Sequence, residues 1–454
     1  MTDDLVIRTL ETPSLGDRSY VASDGLVAIV LDPQRDIDRV LAVLDELAVP
    51  VSHVFETHVH NDYVSGGLEL ARRIGAGYVL PAGAGVRFDH TAVDDGDEIA
   101  TGTMRVRALR TPGHTHHHTS YALSRGGHVR AVFTGGSMLF GATGRTDLVR
   151  PEDTEELTRA QYRSVRRLAG DLPAAARVLP THGFGSFCSA TPTSGDESTI
   201  GEQRTANPAL HQDEQDFVEQ LISGLDAYPA YYAHMAALNV AGPASVDLSL
   251  PRPVDPVEVL ARIDAGEWVV DLRSRTAFAA GHLAGTLSFE LSDNFVTYLG
   301  WLWPWGSPLT LIGETTEQVR QARRELVRIG VDRLAGASVG DPIHGYDPRL
   351  VRSYRMVDFV ELHAALKEGP QTVLDVRRNG ERSGSAIPGS RHVPIHELHA
   401  RRDEVPAGRV WVHCASGYRA SVAASMLDDG TRQLIVVSDD FEVAERLGLA
   451  TSPD

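Results

Sequence analysis

The stretch "ETHVHNDYVSGG" (residues 56–67) places His58, His60 and Asp62 within five positions, directly after the apolar run "VSHVF". Two imidazoles two apart on an extended or turning segment can face one point, and Asp62 adds a carboxylate at the next position on the same side. Imidazoles with a carboxylate and open positions suit zinc or non-haem iron. The pattern recurs outward from this stretch. "MRVRALRTPG" leads into His114, "RAVFTGG" into Gly136 and "ARVLPTHG" into His182. Short apolar strands followed by polar loops bring such side chains to one edge of a sheet. The run "HHH" at 116–118 reads equally as a polar loop, and His116 and His117 stay open between a role and none.

The chain has 454 residues, enough for about three domains at roughly 100–200 residues each. No apolar run approaches the roughly 20 residues that span a bilayer. The start, "MTDDLVIRTLETPSL", carries acids where a secretory signal carries bases, so the expected location is cytoplasmic. A net charge of -18 argues against nucleic acid and anionic membrane as partners. It leaves a small anionic substrate open, because local fields can oppose the global sign.

Beyond residue 240 the composition changes. "GPASVDLSLPRPVDP" (242–256) reads as a linker, and "GASVGDPIHGYDPRL" (336–350) as a second loop-like run. The blocks they delimit repeat each other. "WVVDLRSRTAFAAGHLAGTLSFEL" (268–291) aligns with "TVLDVRRNGERSGSAIPGSRHVPIHEL" (372–398), so that Asp271 and Arg273 fall on Asp375 and Arg377. Strands alternating with helical runs give an α/β architecture with a mainly parallel sheet. The expected domains are 1–242, 254–340 and 355–454.

The chain has two cysteines, Cys188 and Cys414, which is no disulfide framework. "WVHCASGYRAS" (411–421) reads as a strand, Cys414, a short loop closing at Arg419, then a helix. Backbone N–H groups and the helix N-terminus are expected to point at the sulfur and cradle an anion there. That suits a cysteine that attacks sulfane sulfur and then carries it as a perthiolate. Four residues separate Cys414 from Arg419, where phosphatases of similar chemistry have five, so the cradle fits a sulfur and not a phosphate. The middle block has no such pair. It reads "LIGETTEQ" (311–318), with Gly313 at the cysteine position. The aromatic run "YLGWLWPWGSP" (298–308) reads as a hydrophobic plug or an interface wedge.

These motifs resemble known families. "ETHVHNDY", "TPGHTHHHTSY" and "THGFGSFC" are similar to the metallo-β-lactamase fold, whose run is H-x-H-x-D-H followed by a His, a bridging Asp and a final His. Tyr63 replaces the last histidine of the run, and Gly136 stands at the Asp. Both departures dismantle a second metal position, which disfavours a dinuclear hydrolase. Within the fold the chain most resembles the persulfide dioxygenases, mononuclear iron enzymes that oxidise a low-molecular-weight thiol persulfide to sulfite. The resemblance implies Fe(2+) (alternatively Zn(2+)) on His58 and His114, with His60, Asp62 and His182 in or near the ligand set. Substrates would be a thiol persulfide and dioxygen. Cys188, in an "HGxGSxC" context, is read either as a relay for persulfide sulfur or as a packed thiol. The 355–454 block resembles a rhodanese sulfurtransferase with Cys414 and Arg419 as its chemical residues, and the middle block an inactive rhodanese repeat.

The fold expected is therefore α/β: a metallo-β-lactamase-like αββα sandwich followed by two rhodanese-like domains, in a dimer or tetramer. Two other classes stay open: a zinc-dependent thioester or lactone hydrolase, and a metal-free sulfur carrier with a degenerate first domain.

Overall fold

The computed structural model describes residues 5–193 and 195–452. The acidic Asp3 and Asp4 of the N-terminal reading, and the outer ends of the first and last expected domains, lie outside the described residues. Packing divides the chain into two units, Met1–Asp247 with Leu326–Gly330, and Leu248–Glu325 with Val331–Asp454. No helix among the described residues is long and apolar enough to cross a membrane.

The first unit is an αββα sandwich. One sheet runs Val6–Thr12, Asp17–Ser23, Ala28–Leu31, Val51–Phe55, Gly77–Pro81, Thr91–Val93, in chain order. The other runs Arg177–Pro180, His128–Gly135, Thr119–Arg125, Met104–Arg110, Glu98–Thr101. Side chains alternate across a strand, so neighbours serve different layers. Ala22, Ile29 and Leu31 face the second sheet and meet Val106, Tyr121 and Phe133. Val21, Ala28 and Val30 face outward and are covered by Val40 and Leu44 of the helix Asp38–Leu47 and by Leu68 and Leu70 of Gly67–Ile74. On the far side, Tyr162, Val165 and Leu168 of the helix Thr154–Asp171 cover Ala122 and Val132. Strands buried on both faces explain the near-continuous apolar runs read in the sequence.

The second unit holds two parallel sheets. The middle one has the order Leu287–Ser288, Trp268–Asp271, Leu309–Gly313, Gly336–Val339. The C-terminal one has the order Arg355–Val357, Arg432–Val437, Gly408–His413, Val373–Asp375, Arg391–His392. Gly336–Val339 corrects the loop reading of 336–350. Its small residues resemble a loop in sequence, but a Cβ on Gly336 would meet Val254 Cγ1 at 2.4 Å, so closeness selects glycine. The end of the linker docks beside this strand: Val254 N–H donates to Ala337 O, and Ala337 N–H to Arg252 O, both at 2.9 Å.

Within this unit the two sheets are joined by polar contacts. His282 Nε2 lies 3.0 Å from Asp428 Oδ2, and Ser288 N–H donates to Ser425 Oγ at 3.0 Å. The aromatic run is spent here as well. Tyr298, Trp301 and Trp303 are buried, with the Tyr298 ring 5.7 Å from Tyr418 and Trp301 stacked on His396 at 5.1 Å.

Candidate metal centre and cysteine loop

Strand ends of the first unit bring His58, His114 and His182 together, with one ligand atom from each within 4.8 Å of the others, all buried. His58 follows Val51–Phe55, His114 follows Met104–Arg110, and His182 follows Arg177–Pro180. Each ring has its Nδ1 held. His58 Nδ1 lies 2.9 Å from Thr57 Oγ1, which itself donates to Asp32 Oδ2 at 2.8 Å and so accepts from the imidazole. His114 Nδ1 lies 2.8 Å from Arg145 O, and His182 Nδ1 2.9 Å from Asp17 Oδ1. These acceptors place the proton on Nδ1 and leave Nε2 as a lone pair.

The lone pairs converge. His58 Nε2 and His182 Nε2 are 3.3 Å apart, about the spacing two nitrogens keep on one tetrahedral ion. His114 Nε2 has no hydrogen-bond partner among the described residues. Donation of the second ring nitrogen to a carboxylate, carbonyl or hydroxyl is what orients metal-binding histidines. The donor set therefore fits a metal ion. Burial first, and the neighbouring rings second, hold His58 and His114 well below the usual histidine range. Burial also opposes charge on His182, but Asp62 and Asp17 outweigh it and raise it to about 10. Burial first, and the Asp62 charge second, raise Asp17 to about 8, so it is Asp62 that calls for a positive charge at His182, and a cation on Nε2 meets the same demand.

Asp62 Oδ2 sits 3.1 Å from His182 Nδ1, but the N–H is directed to Asp17, and Asp62 receives no hydrogen bond among the described residues. Asp62 is thus a buried carboxylate whose nearest donor is shared with Asp17, which favours a nearby cation. His60 is turned elsewhere. Its Nε2 lies 3.1 Å from Glu56 Oε2, 3.3 Å from Asp32 Oδ1 and 3.0 Å from the Tyr63 hydroxyl. Burial opposes its charge, and Asp32 and Glu56 outweigh burial and raise it to about 9. His60 also belongs to two further buried groups with metal-ligand spacing, His60–Asp62–His182 and Asp32–Glu56–His60.

Several residues of the site carried no signal in the sequence reading. His118 is fully buried, accepts the Gly136 N–H on Nε2 at 3.0 Å, and stands 5.0 Å from the His58 ring. Asp32, at φ 47, holds the Thr57 N–H at 2.7 Å. Asn239 clamps the metal loop from a distant helix, donating to His60 O and Tyr63 O at 2.9 Å each and accepting Ser65 N–H at 2.8 Å. His116 is tied outside the cluster, 2.9 Å from Asp153 Oδ2. Cys188 is buried, 3.9 Å from the Tyr232 hydroxyl, and burial pushes its thiol well up.

In the second unit Cys414 is buried at the end of Gly408–His413, and the Gly417 N–H donates to its sulfur at 3.1 Å. Gly417 has φ 94, and a Cβ there would meet Ser438 Oγ, so the loop conformation requires glycine. The helix Tyr418–Leu427 follows. Arg419 is held by a two-pronged pair with Glu381, at 2.5 and 2.7 Å, and its guanidinium lies 5.9 Å from the Tyr298 ring centre. His413 packs parallel to Phe441 at 5.5 Å, and burial first lowers it to about 4.

The loop of the middle sheet is closed by Gln318. Its Oε1 accepts the Glu314 N–H at 2.8 Å, and its Nε2 donates to Leu272 O at 2.8 Å. A Cβ on Gly313 would sit 3.0 Å from Val319 Cγ2 and 3.1 Å from Gln318 Oε1.

Comparison with known proteins matches a family to the segment that holds each site. Residues 19–182 match the metallo-beta-lactamase superfamily and residues 358–443 the rhodanese-like domain. The human mitochondrial persulfide dioxygenase ETHE1 is 27% identical over 239 residues, 52% of this chain and 80% of that protein. The probable polyketide biosynthesis zinc-dependent hydrolase BaeB of Bacillus velezensis is 31% identical over 167 residues, 35% of this chain and 68% of that protein. The crystal structure of a metallo-beta-lactamase from Staphylococcus aureus subsp. aureus COL aligns with a TM-score of 0.67 at 26% identity, covering 74% of this chain and 99% of that one. That share exceeds what the first unit alone supplies. The chain belongs to the metallo-beta-lactamase superfamily, carries a rhodanese-like domain after it, and is an enzyme.

Proposed function

We propose that this member of the metallo-beta-lactamase superfamily oxidises a low-molecular-weight thiol persulfide with dioxygen at a single iron ion and moves sulfane sulfur through Cys414. The observation that carries this reading is the convergence of buried Nε2 atoms from His58, His114 and His182, each with its Nδ1 held. Iron bound there supplies the redox chemistry of the oxygen reaction. The chain's own residues hold it, exclude bulk water through their burial, and present an acidic rim in Asp62 and Asp17. Per persulfide, one dioxygen and one water yield the free thiol and sulfite. A relay of persulfide sulfur through Cys188 would have to overcome the burial that pushes its thiol up.

The second activity uses the C-terminal loop. The Cys414 thiolate attacks the outer sulfur of a persulfide, the thiol leaves, and Cys414 holds the sulfur as a perthiolate. The Gly417 N–H and the positive Arg419 side favour that anion. Sulfite then takes the sulfur and leaves as thiosulfate, returning the thiolate. Carrying both activities on one chain raises the local concentration of the second reactant. The middle segment, 254–340, would be a rhodanese-like domain without chemistry, between domains at 1–242 and 355–454.

A zinc hydrolase of a thioester needs the second ion position. At that position Tyr63 stands in place of a further histidine, its ring stacked on His60 at 4.3 Å and its hydroxyl donating to Asp32 O, which leaves the second group His60, Asp62 and His182. The test is metal analysis of protein purified with iron supplied, together with oxygen uptake on the persulfides of glutathione and of coenzyme A. Bound iron and oxygen uptake are expected. Zinc-dependent thioester turnover without oxygen uptake, or sulfur transfer alone without bound iron, would overturn the reading.

A further inference from the structure

The sequence leaves the metal short of a carboxylate, because Gly136 stands where related enzymes keep an aspartate. The structure gives that glycine a positive task. A Cβ at 136 would lie 2.3 Å from His114 Cδ2 and 2.8 Å from its Nε2. On its other side the His114 ring is met by Gly144, where a Cβ would lie 2.8 Å from Nδ1. The imidazole is slotted between two residues without side chains, and Gly136 N–H is itself tied to His118 Nε2. Any side chain at 136 displaces this ring.

We infer that the ion sits on three neutral imidazoles, His58, His114 and His182, and that Gly136 makes room for this set instead of marking a lost ligand. This rests on the single-ion reading proposed above and specifies its ligands. Three points carry it. His182 Nε2 faces His58 Nε2 at 3.3 Å, in the place a third ligand must occupy. Its Nδ1–H goes to Asp17, the outer carboxylate that orients a metal-binding histidine. His60 turns its Nε2 to Glu56, Asp32 and Tyr63, and although its Nδ1 has no hydrogen-bond partner among the described residues, His60 falls outside the set that His58, His114 and His182 form within 4.8 Å. Asp17 and Asp62 thereby become outer partners.

The ligand set bears on substrate class. Three uncharged ligands put no anionic atom on the ion itself, so an anionic sulfur ligand competes there only with the outer carboxylates Asp17 and Asp62. A perthiolate fits, and a neutral thioester carbonyl gains less.

The experiment counts ligands instead of turnover. X-ray absorption of the full chain loaded with one iron or cobalt ion is expected to show three imidazoles in the metal's shell. Two imidazoles with a carboxylate would overturn the inference. Metal affinity by chelator competition gives the second readout. His182→Ala is expected to weaken binding about 100-fold, and His60→Ala less than about 5-fold. Gly136→Asp is expected to weaken binding; tighter binding, or equal losses for His60→Ala and His182→Ala, would overturn the assignment. A His182→Ala chain that fails to fold leaves the imidazole count on the unaltered protein as the deciding result. Three imidazoles without oxygen uptake on persulfide would refute the proposed reaction and leave the ligand set standing. Uptake with a carboxylate in the shell would do the reverse.

Discussion

The loop after Leu309–Gly313 and the loop after Gly408–His413 stand on the same skeleton. In the middle sheet Arg273 Nη2 donates to Asp271 Oδ2 at 2.7 Å, and in the C-terminal sheet Arg377 Nη2 donates to Asp375 Oδ2 at 2.8 Å. Each arginine also caps a later carbonyl, Gly281 O at 2.9 Å and Ser385 O at 2.7 Å. The chemistry differs at three aligned positions. Cys414, Arg419 and Glu381 face Gly313, Gln318 and Ala277. In one loop a partly buried pair, Arg419 with Glu381, holds a charge beside a sulfur. In the other, the uncharged Gln318 is taken up by two backbone groups, Glu314 N–H and Leu272 O. The Asp-x-Arg pair is common to both loops, and under the proposed function these three side chains are what set the reactive loop apart.

The largest expected effect comes from removing the sulfur. Cys414→Ala should lower sulfane-sulfur transfer to cyanide by at least about 10³-fold. The double change Gly313→Cys with Gln318→Arg should restore no more than about 1% of it, because the grafted arginine finds Ala277 where Glu381 would hold it. Transfer by the graft at the level of the native loop would break the comparison.

A smaller loss is expected from Glu381→Gln, which keeps the shape and removes the charge that fixes Arg419. Steady-state transfer should fall about 10-fold in kcat/KM, equal to about 1.4 kcal/mol of transition-state stabilisation. An unchanged rate would show that Arg419 needs no fixed partner.

The smallest effect is on stability and appears only in acid. Burial opposes charge on Glu381, but Arg419 outweighs it and holds the carboxyl down to about 2, from 4.5. A carboxyl lowered in the folded state adds stability that is complete above its unfolded value and is lost as pH falls toward the folded one. Denaturant titrations of the second unit's unfolding in the full chain should show this loss between about pH 4.5 and 2. Glu381→Gln should flatten that stretch of the profile, and an unaltered slope would count against the Arg419–Glu381 pair.

Much of this was readable in the sequence, for a physical reason. Apolar strands ending in histidine, and the repeated Asp-x-Arg, are local patterns, and local patterns survive without coordinates. His58, His114, His182 and Cys414 were found that way. Asp17, Asp32, His118 and Asn239 were not, because each acts through a partner far along the chain. His182 and Asp17 are 165 residues apart, and Asn239 and His60 are 179 apart. Gln318 carries no local signal, and its role rests on two backbone partners, Glu314 N–H and Leu272 O. Gly136 was legible as a departure, but its contact with the His114 ring was not.

The most direct test of two activities on one chain is oxygen uptake and product analysis on a thiol persulfide, with iron-loaded native protein beside Cys414→Ala. Both should consume oxygen, the native chain releasing thiosulfate and the variant releasing sulfite. No oxygen uptake by either, with sulfur transfer through Cys414 intact, would contradict the account.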